Sequence, residues 1–170
     1  VSVFLAVDPD LRNPGVALFR DDALIKCGVA VNAMRSERGP VAWTSAEAAV
    51  SAFLHDAGLC PTHLAIEYPR IYPIHQQVGD QADLLELAGV VGAISTIFSH
   101  HNVTAYWPHE WKGTVKKDVM QDRILGRLSP SELALIPSLN ANLRSDVVDA
   151  IGIGLHHLGR LARRRVYPRE

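Results

Sequence analysis

Cysteine is scarce in this 170-residue chain: Cys27 and Cys60 stand far apart and form no C-x-x-C pair. That spacing argues against a redox motif and makes a reduced, cytoplasmic protein the expectation. Long hydrophobic runs are missing too. No apolar stretch approaches the ~20 residues of a membrane span, so no membrane partner is expected. Val1 to Val7 is apolar but short, and it lacks the basic flank of a signal peptide. A strong charge of either sign is also absent. The formal net charge of −1 argues against nucleic-acid binding over the whole surface and leaves room for a local basic patch. Repeats, low-complexity linkers and any placeable Ser-His-Asp or Cys-His arrangement are lacking as well.

What remains is ordinary for a globular protein, with 48% apolar and 21% charged residues. At this length folding buries roughly 70% of the unfolded surface, enough for one proper core, so residues 1–170 read as a single domain. The first third is strand-rich. Ser2 to Asp8 reads as a strand, followed by the turn-forming Asp-Pro-Asp-Leu-Arg-Asn-Pro-Gly. Gly15 to Arg20 and Leu24 to Val31 read as two more, joined in a tight hairpin at Asp21-Asp22. Thr44-Ser-Ala-Glu47 is a capping-box pattern that predicts a helix opening there and running to about Ala57. Thr62 to Glu67 predicts a short buried strand, Tyr68 to Gly79 a loop, and Asp80 to Ser99 a long helix. Val103 to Tyr106 predicts a strand and Lys116 to Leu128 a helix. Ser129 to Leu143 reads as irregular with room for one helical turn at Ser131, and Asp146 to Arg163 as the last helix. Strands that meander and then alternate with helices predict a mixed α/β sheet with helices on both faces.

Four acids are the most informative feature. Asp8 closes the apolar run from Val3, Glu67 closes His63 to Glu67, and Asp146 and Asp149 sit in the apolar stretch Ser145 to Leu155. A carboxylate at the end of a buried strand costs free energy unless a metal ion or a basic partner compensates it. In such sheets sites lie off the carboxyl ends of parallel strands, where Asp8 and Glu67 fall. Asp146 and Asp149, three apart, share one helix face. A pair of acids at a helix start also serves simply as a complement to the helix dipole, and that reading stands beside the functional one. Four converging carboxylates would suit two divalent metals and in-line attack on a phosphodiester.

Two basic groups accompany them. Lys112, Lys116 and Lys117 lie midway, and a tail from Arg160 carries Arg163, Arg164, Arg165 and Arg169. Both groups read equally as solvated surface. His100-His101 and His156-His157 read as surface or as helix C-terminal dipole partners, since neighbours on a helix point apart.

The stretch Leu-Ala-Val-Asp-Pro-Asp-Leu-Arg-Asn-Pro-Gly-Val-Ala-Leu-Phe (Leu5 to Phe19) resembles the first strand and turn of the RuvC-type Holliday-junction resolvases, in the RNase H-like superfamily. Ala-Ile-Glu (Ala65 to Glu67) looks like their second acidic motif. Asp-Val-Val-Asp-Ala-Ile (Asp146 to Ile151) resembles their closing Asp-x-x-Asp-Ala motif. The likeness runs in order from about Leu5 to His157. It implies an RNase H-like mixed five-stranded sheet whose first three strands form an antiparallel meander. It further implies a homodimeric endonuclease that resolves four-way DNA junctions by paired nicks. Asp8, Glu67, Asp146 and Asp149 would be catalytic and hold two Mg2+ ions, with Mn2+ substituting.

By the same resemblance Lys112 and Lys117 would contact the DNA backbone near the scissile phosphate, with Lys116 a weaker candidate. A cation there offsets the charge gathering on phosphorus. Family members carry an aromatic wedge after the second acid; Arg70 stands nearest that place, flanked by Tyr68 and Tyr72. Either tyrosine would stack on an unpaired base or simply pack its loop. The family's usual glycine after Asp-Pro is Asp10 here, which reads first as a turn residue and otherwise as an outer-shell acid or a perturbation of metal binding. A short glycine-containing insertion of many relatives is missing between Val115 and Lys116. Two further readings remain at this stage: a related nuclease acting on RNA–DNA hybrids or flaps, and a non-catalytic nucleic-acid-binding module. The sequence identifies no branch-migration partner.

Overall fold

The computed structural model describes residues 2–34, 37–70, 80–98 and 102–162. Strands β1 (Val3–Asp8), β2 (Gly15–Arg20), β3 (Ala23–Val29), β4 (His63–Glu67) and β5 (Val103–Tyr106) form one sheet in the order β3-β2-β1-β4-β5. The first three strands pair antiparallel, while β4 and β5 add parallel to β1. This is the mixed five-stranded sheet expected from the sequence. Helices α1 (Pro40–Ala57) and α2 (Gln81–Ser95) follow β3 and β4, and α3 (Pro108–Trp111), α4 (Lys117–Leu125), α5 (Pro130–Leu133) and α6 (Ala141–His157) follow β5.

Strand alternation assigns the two faces. Leu5, Val7, Val16, Leu18, Leu64 and Ile66 pack with Ala46, Val50, Val90 and Ile94 of α1 and α2. Phe4, Ala6, Ala17, Phe19 and Ala65 pack with Val147, Ile151 and Leu155 of α6 and with Met120 and Ile124 of α4. Ala6, Ala17 and Ala65 line the middle of that face, so the axis of α6 lies close to the sheet.

Several boundaries differ from the sequence reading. Helix α1 opens at Pro40, whose ring presets the helical φ at the first position. Thr44 therefore lies inside the helix, where its hydroxyl donates to the Pro40 carbonyl at 2.9 Å and caps nothing. Helix α4 stops at Leu125, and its last residues to Leu128 continue as turns. Helix α2 is capped by the Asp80 carboxylate, which accepts from Ala82 N, and its helical span ends at Ser95. The largest difference is α6. Asn140 caps it through its side-chain oxygen, and the helix begins at Ala141 rather than Asp146. The first turn of α6 holds no acid, so Asp146 and Asp149 are not complements to its dipole.

Candidate active site

Asp8 and Glu67 end parallel, hydrogen-bonded neighbours, one step past the Val7–Ile66 pair. The two carboxyl groups therefore leave the sheet side by side. Asp8 also pairs with Gly15 at the start of β2. A Cβ on Gly15 would collide with the backbone carbonyl of Asp146, so the bare glycine lets α6 cross close above Asp8. Asp149 follows about one turn later on the same face and is 7% exposed.

The loop that leaves Asp8 is tied down. Asp10 Oδ1 accepts from the backbone N–H of Arg12 at 2.7 Å and of Asn13 at 2.8 Å, so Asp10 is a turn residue as expected. Buried Asn32 donates from its amide to the carbonyls of Leu11 and Ala42, which joins this loop to α1.

The electrostatics mark the cluster. Burial, then the charges of Glu67 and Asp149, hold the Asp8 carboxyl well above the usual carboxylate range, with Lys112 pulling the other way. Asp146 is pushed up to about 6 by burial, by Asp10 and by Asp149, against Lys117. Burial lowers the pKa of Lys112, but Glu67, Asp8 and Asp149 override it and raise the ammonium above its ordinary value. Lys112 Nζ sits 3.0 Å from Glu67 Oε2, and Lys117 Nζ 3.7 Å from Asp149 Oδ2. A cavity of about 320 Å³ lined by Lys112, Thr114, Lys117, Met120 and Asp149 opens beside them.

Among the described residues no three acidic, histidine or cysteine side chains already surround one point as a ready metal cage. The donor chemistry still fits a hard divalent cation, because all four groups offer oxygen and two have raised pKa values. A cation would offset the burial, and the repulsion added to it, that hold those values high.

The remaining predicted residues are placed as follows. Lys116 is exposed at the N-cap of α4. Tyr68 meets Trp107 edge to face at 5.3 Å, and Arg70 Nη1 lies 2.8 Å from His109 Nδ1. Tyr72, His100 and His101 lie outside the described residues, as do the arginines from 163 onward. Arg160 does not belong with that tail. Its guanidinium pairs with Glu132 at 2.8 Å and donates to the carbonyls of Asp22 and Arg127, all away from the acidic cluster. His156 and His157 are likewise not plain surface. Both rings contact Tyr106, His157 Nδ1 lies 2.9 Å from the Tyr106 hydroxyl, and burial lowers both pKa values.

Sequence reasoning passed over Trp111 and Gln121. The Trp111 indole donates to Glu67 Oε2 at 2.7 Å. Gln121 Nε2 lies 2.8 Å from Ser145 Oγ and 3.4 Å from Asp149 Oδ1. The one available signal for Trp111 was its place beside Lys112.

No protein-family model matches the sequence, and no curated protein matches it either. The fold does match solved structures. RuvC of T. thermophilus in complex with a Holliday junction substrate superposes with a TM-score of 0.65 at 20% identity, covering 95% of this chain and 97% of that one. A second Thermus thermophilus RuvC structure gives 0.59 at 18% identity, over 94% and 96% of the two chains. The yeast mitochondrial Holliday junction resolvase Ydc2 gives 0.55 at 11%, over 95% and 82%. The chain thus has the RNase H-like fold of the RuvC-type resolvases.

Proposed function

We propose that this chain is a metal-dependent, structure-selective endonuclease that resolves four-way DNA junctions by paired symmetric nicks. The observation that carries the proposal is that Asp8 ends β1 beside Glu67 at the end of β4, feels the charges of Glu67, Asp149 and Asp146, and has its carboxyl pKa raised together with that of Asp146. Binding alone gives no reason to gather negative charge where a phosphate must approach. Four-way junctions are preferred over hybrids and flaps because two of the similar structures are described by that substrate.

Asp8, Glu67, Asp146 and Asp149 would hold two Mg2+ ions, with Mn2+ substituting, which when bound supply an activated water and stabilise the departing 3′ oxygen. The chain's own groups do the positioning. Lys112 stands against Glu67 and offers an ammonium to the phosphate under attack. Lys117, with Lys116 beside it at the opening of α4, holds the backbone that leads into the site. Tyr68 and Arg70, with Tyr72 further on, serve the junction centre. Two symmetric cuts need two sites, and a two-fold homodimer supplies them. Helix α2, with Leu85 70% exposed, is the contact face we assign to that dimer.

The test uses a labelled four-way junction against duplex, flap and RNA–DNA hybrid, with Mg2+ or Mn2+ and with chelator. Paired nicks on the junction alone are expected. Cutting of hybrid or flap instead would discard the junction assignment, and binding without cutting of any substrate would discard the nuclease.

A further inference from the structure

Glu67 receives two donors on one oxygen. The Trp111 indole N–H reaches Oε2 at 2.7 Å and the Lys112 ammonium reaches the same atom at 3.0 Å. The two donors differ in what holds them. Lys112 is an ammonium on a flexible four-carbon stem, and its side chain is 34% exposed. Trp111 is 4% exposed and fixed by packing: a Cβ on Gly152 of α6 would lie 2.8 Å from its Cζ3. Lys112 Nζ also rests 4.8 Å from the Trp111 ring centroid, so the indole carries both the carboxylate and its cation. An indole has one donor, and a buried one left unpaired is costly; this one is spent on an acid rather than on a backbone carbonyl.

We propose that Trp111 is a positioning residue for the metal site. It pins Oε2 of Glu67 so that Oε1 is presented to a divalent cation, while Lys112 is the exchangeable partner that turns to the DNA phosphate. The proposal rests on the metal-dependent reading above. It links α3, β4 and α6 in one bracket, because Gly152 admits the ring that orients the β4 carboxylate.

Trp111→Phe keeps most of the ring and removes only the N–H. With the full-length chain, Mn2+ binding followed by calorimetry should weaken about 10- to 100-fold, the usual cost of losing a partner that orients a metal-binding carboxylate. Junction cleavage should lose kcat at fixed subsaturating metal, regain much of it as Mn2+ is raised, and keep its KM for the junction. In a Glu67→Ala background the same substitution should leave the metal affinity unchanged, since the carboxylate it orients is gone. A merely structural tryptophan would cost the same in both backgrounds, and that result would overturn the proposal, as would unaltered affinity in the single variant. Should Trp111→Phe not fold, a Trp43→Phe/Trp107→Phe chain leaves Trp111 as sole emitter. Its fluorescence should then shift on Mg2+ addition, and constant emission at saturating Mg2+ would overturn the proposal. A wild-type chain that binds no Mn2+ would instead remove the metal-dependent reading, and this inference with it.

Discussion

The sheet carries buried charge at both of its ends, and the two ends treat it oppositely. Near the start of β3, Glu132 accepts from Leu24 N at 2.9 Å and Ser129 N at 2.8 Å, and the Arg160 guanidinium spans both of its oxygens at 2.8 and 3.1 Å. Burial alone would raise this carboxyl, yet Arg160 and the two amides take it down to about 2. At the carboxyl end of β1, burial raises Asp8 as well, and there the neighbouring acids add to it. Burial is common to both ends; the neighbours are not, a cation and two amides at one and chiefly other acids, with Lys112, at the other. A charge whose lone pairs are all met is a structural clamp, whereas acids that push on one another leave the fold with a deficit that a ligand can fill.

Two substitutions test that contrast most strongly. Asp8→Asn should lower junction cleavage on the order of 10³-fold while leaving junction binding intact or tighter. In chelator it should also raise Tm, because it removes a carboxylate the metal-free fold disfavours. Unchanged cleavage would sink the assigned chemistry, and a lower Tm would show that the Asp8 end is satisfied after all. Arg160→Ala should do the reverse. Leaving Glu132 buried without its cation costs about 3–5 kcal/mol, on the order of 10 °C in Tm, read by thermal denaturation. Cleavage per folded molecule should stay at the wild-type level.

The two ends also differed in how plainly they showed in the sequence. Asp8 and Glu67 are legible because each ends an apolar run, which places it at a strand terminus whatever the rest of the fold does. Asp146 and Asp149 are legible as a pair on one helix face. Their position along α6 was not, because the Asn140 cap lies in a stretch with no clear period. Thr44 misled for a related reason: the capping-box pattern recurs inside helices, and Pro40 had already opened this one. Arg160 read as part of a basic tail because its partner lies 28 residues upstream and nothing local marks it. Trp111 acquires its partner only when α3 docks beside β4, and Gln121 only when α4 packs against α6. Residues that act through strand ends are visible in one dimension; residues that act through tertiary approach are not.

Acidity should separate the ends again, by a smaller amount. Asp146 has a folded pKa of about 6, above its unfolded 3.8. Its contribution to stability is therefore present below about 3.8 and lost as pH rises through 6. In chelator, Asp146→Asn should match wild type near pH 4 and be more stable above pH 6 by about 1 kcal/mol, after allowance for solvent screening. Glu132, at about 2 against 4.5, has the opposite sign. The deficit of Glu132→Gln should be full above pH 4.5 and shrink as pH falls towards 2. Chemical denaturation across pH 4 to 8 measures the Asp146 arm and the start of the other. Parallel profiles for the two variants would erase the distinction.

Lys117 should show the smallest effect on stability and the sharpest difference in kind. Its ammonium lies 3.7 Å from Asp149 Oδ2 with the side chain 63% exposed, against 19% for Arg160 in its clamp. An exposed pair of that sort contributes about 0–1 kcal/mol, so Lys117→Ala should move Tm by no more than about 4 °C. If Lys117 instead meets DNA phosphate, its loss should flatten the dependence of log K for the junction on log salt by about 0.9. Arg160→Ala, measured on protein kept folded, should leave that slope alone. One cation would then alter binding without stability and the other stability without binding; a slope flattened alike in both variants would mean that both ends of the sheet meet the nucleic acid, and a wild-type slope in both that neither cation does.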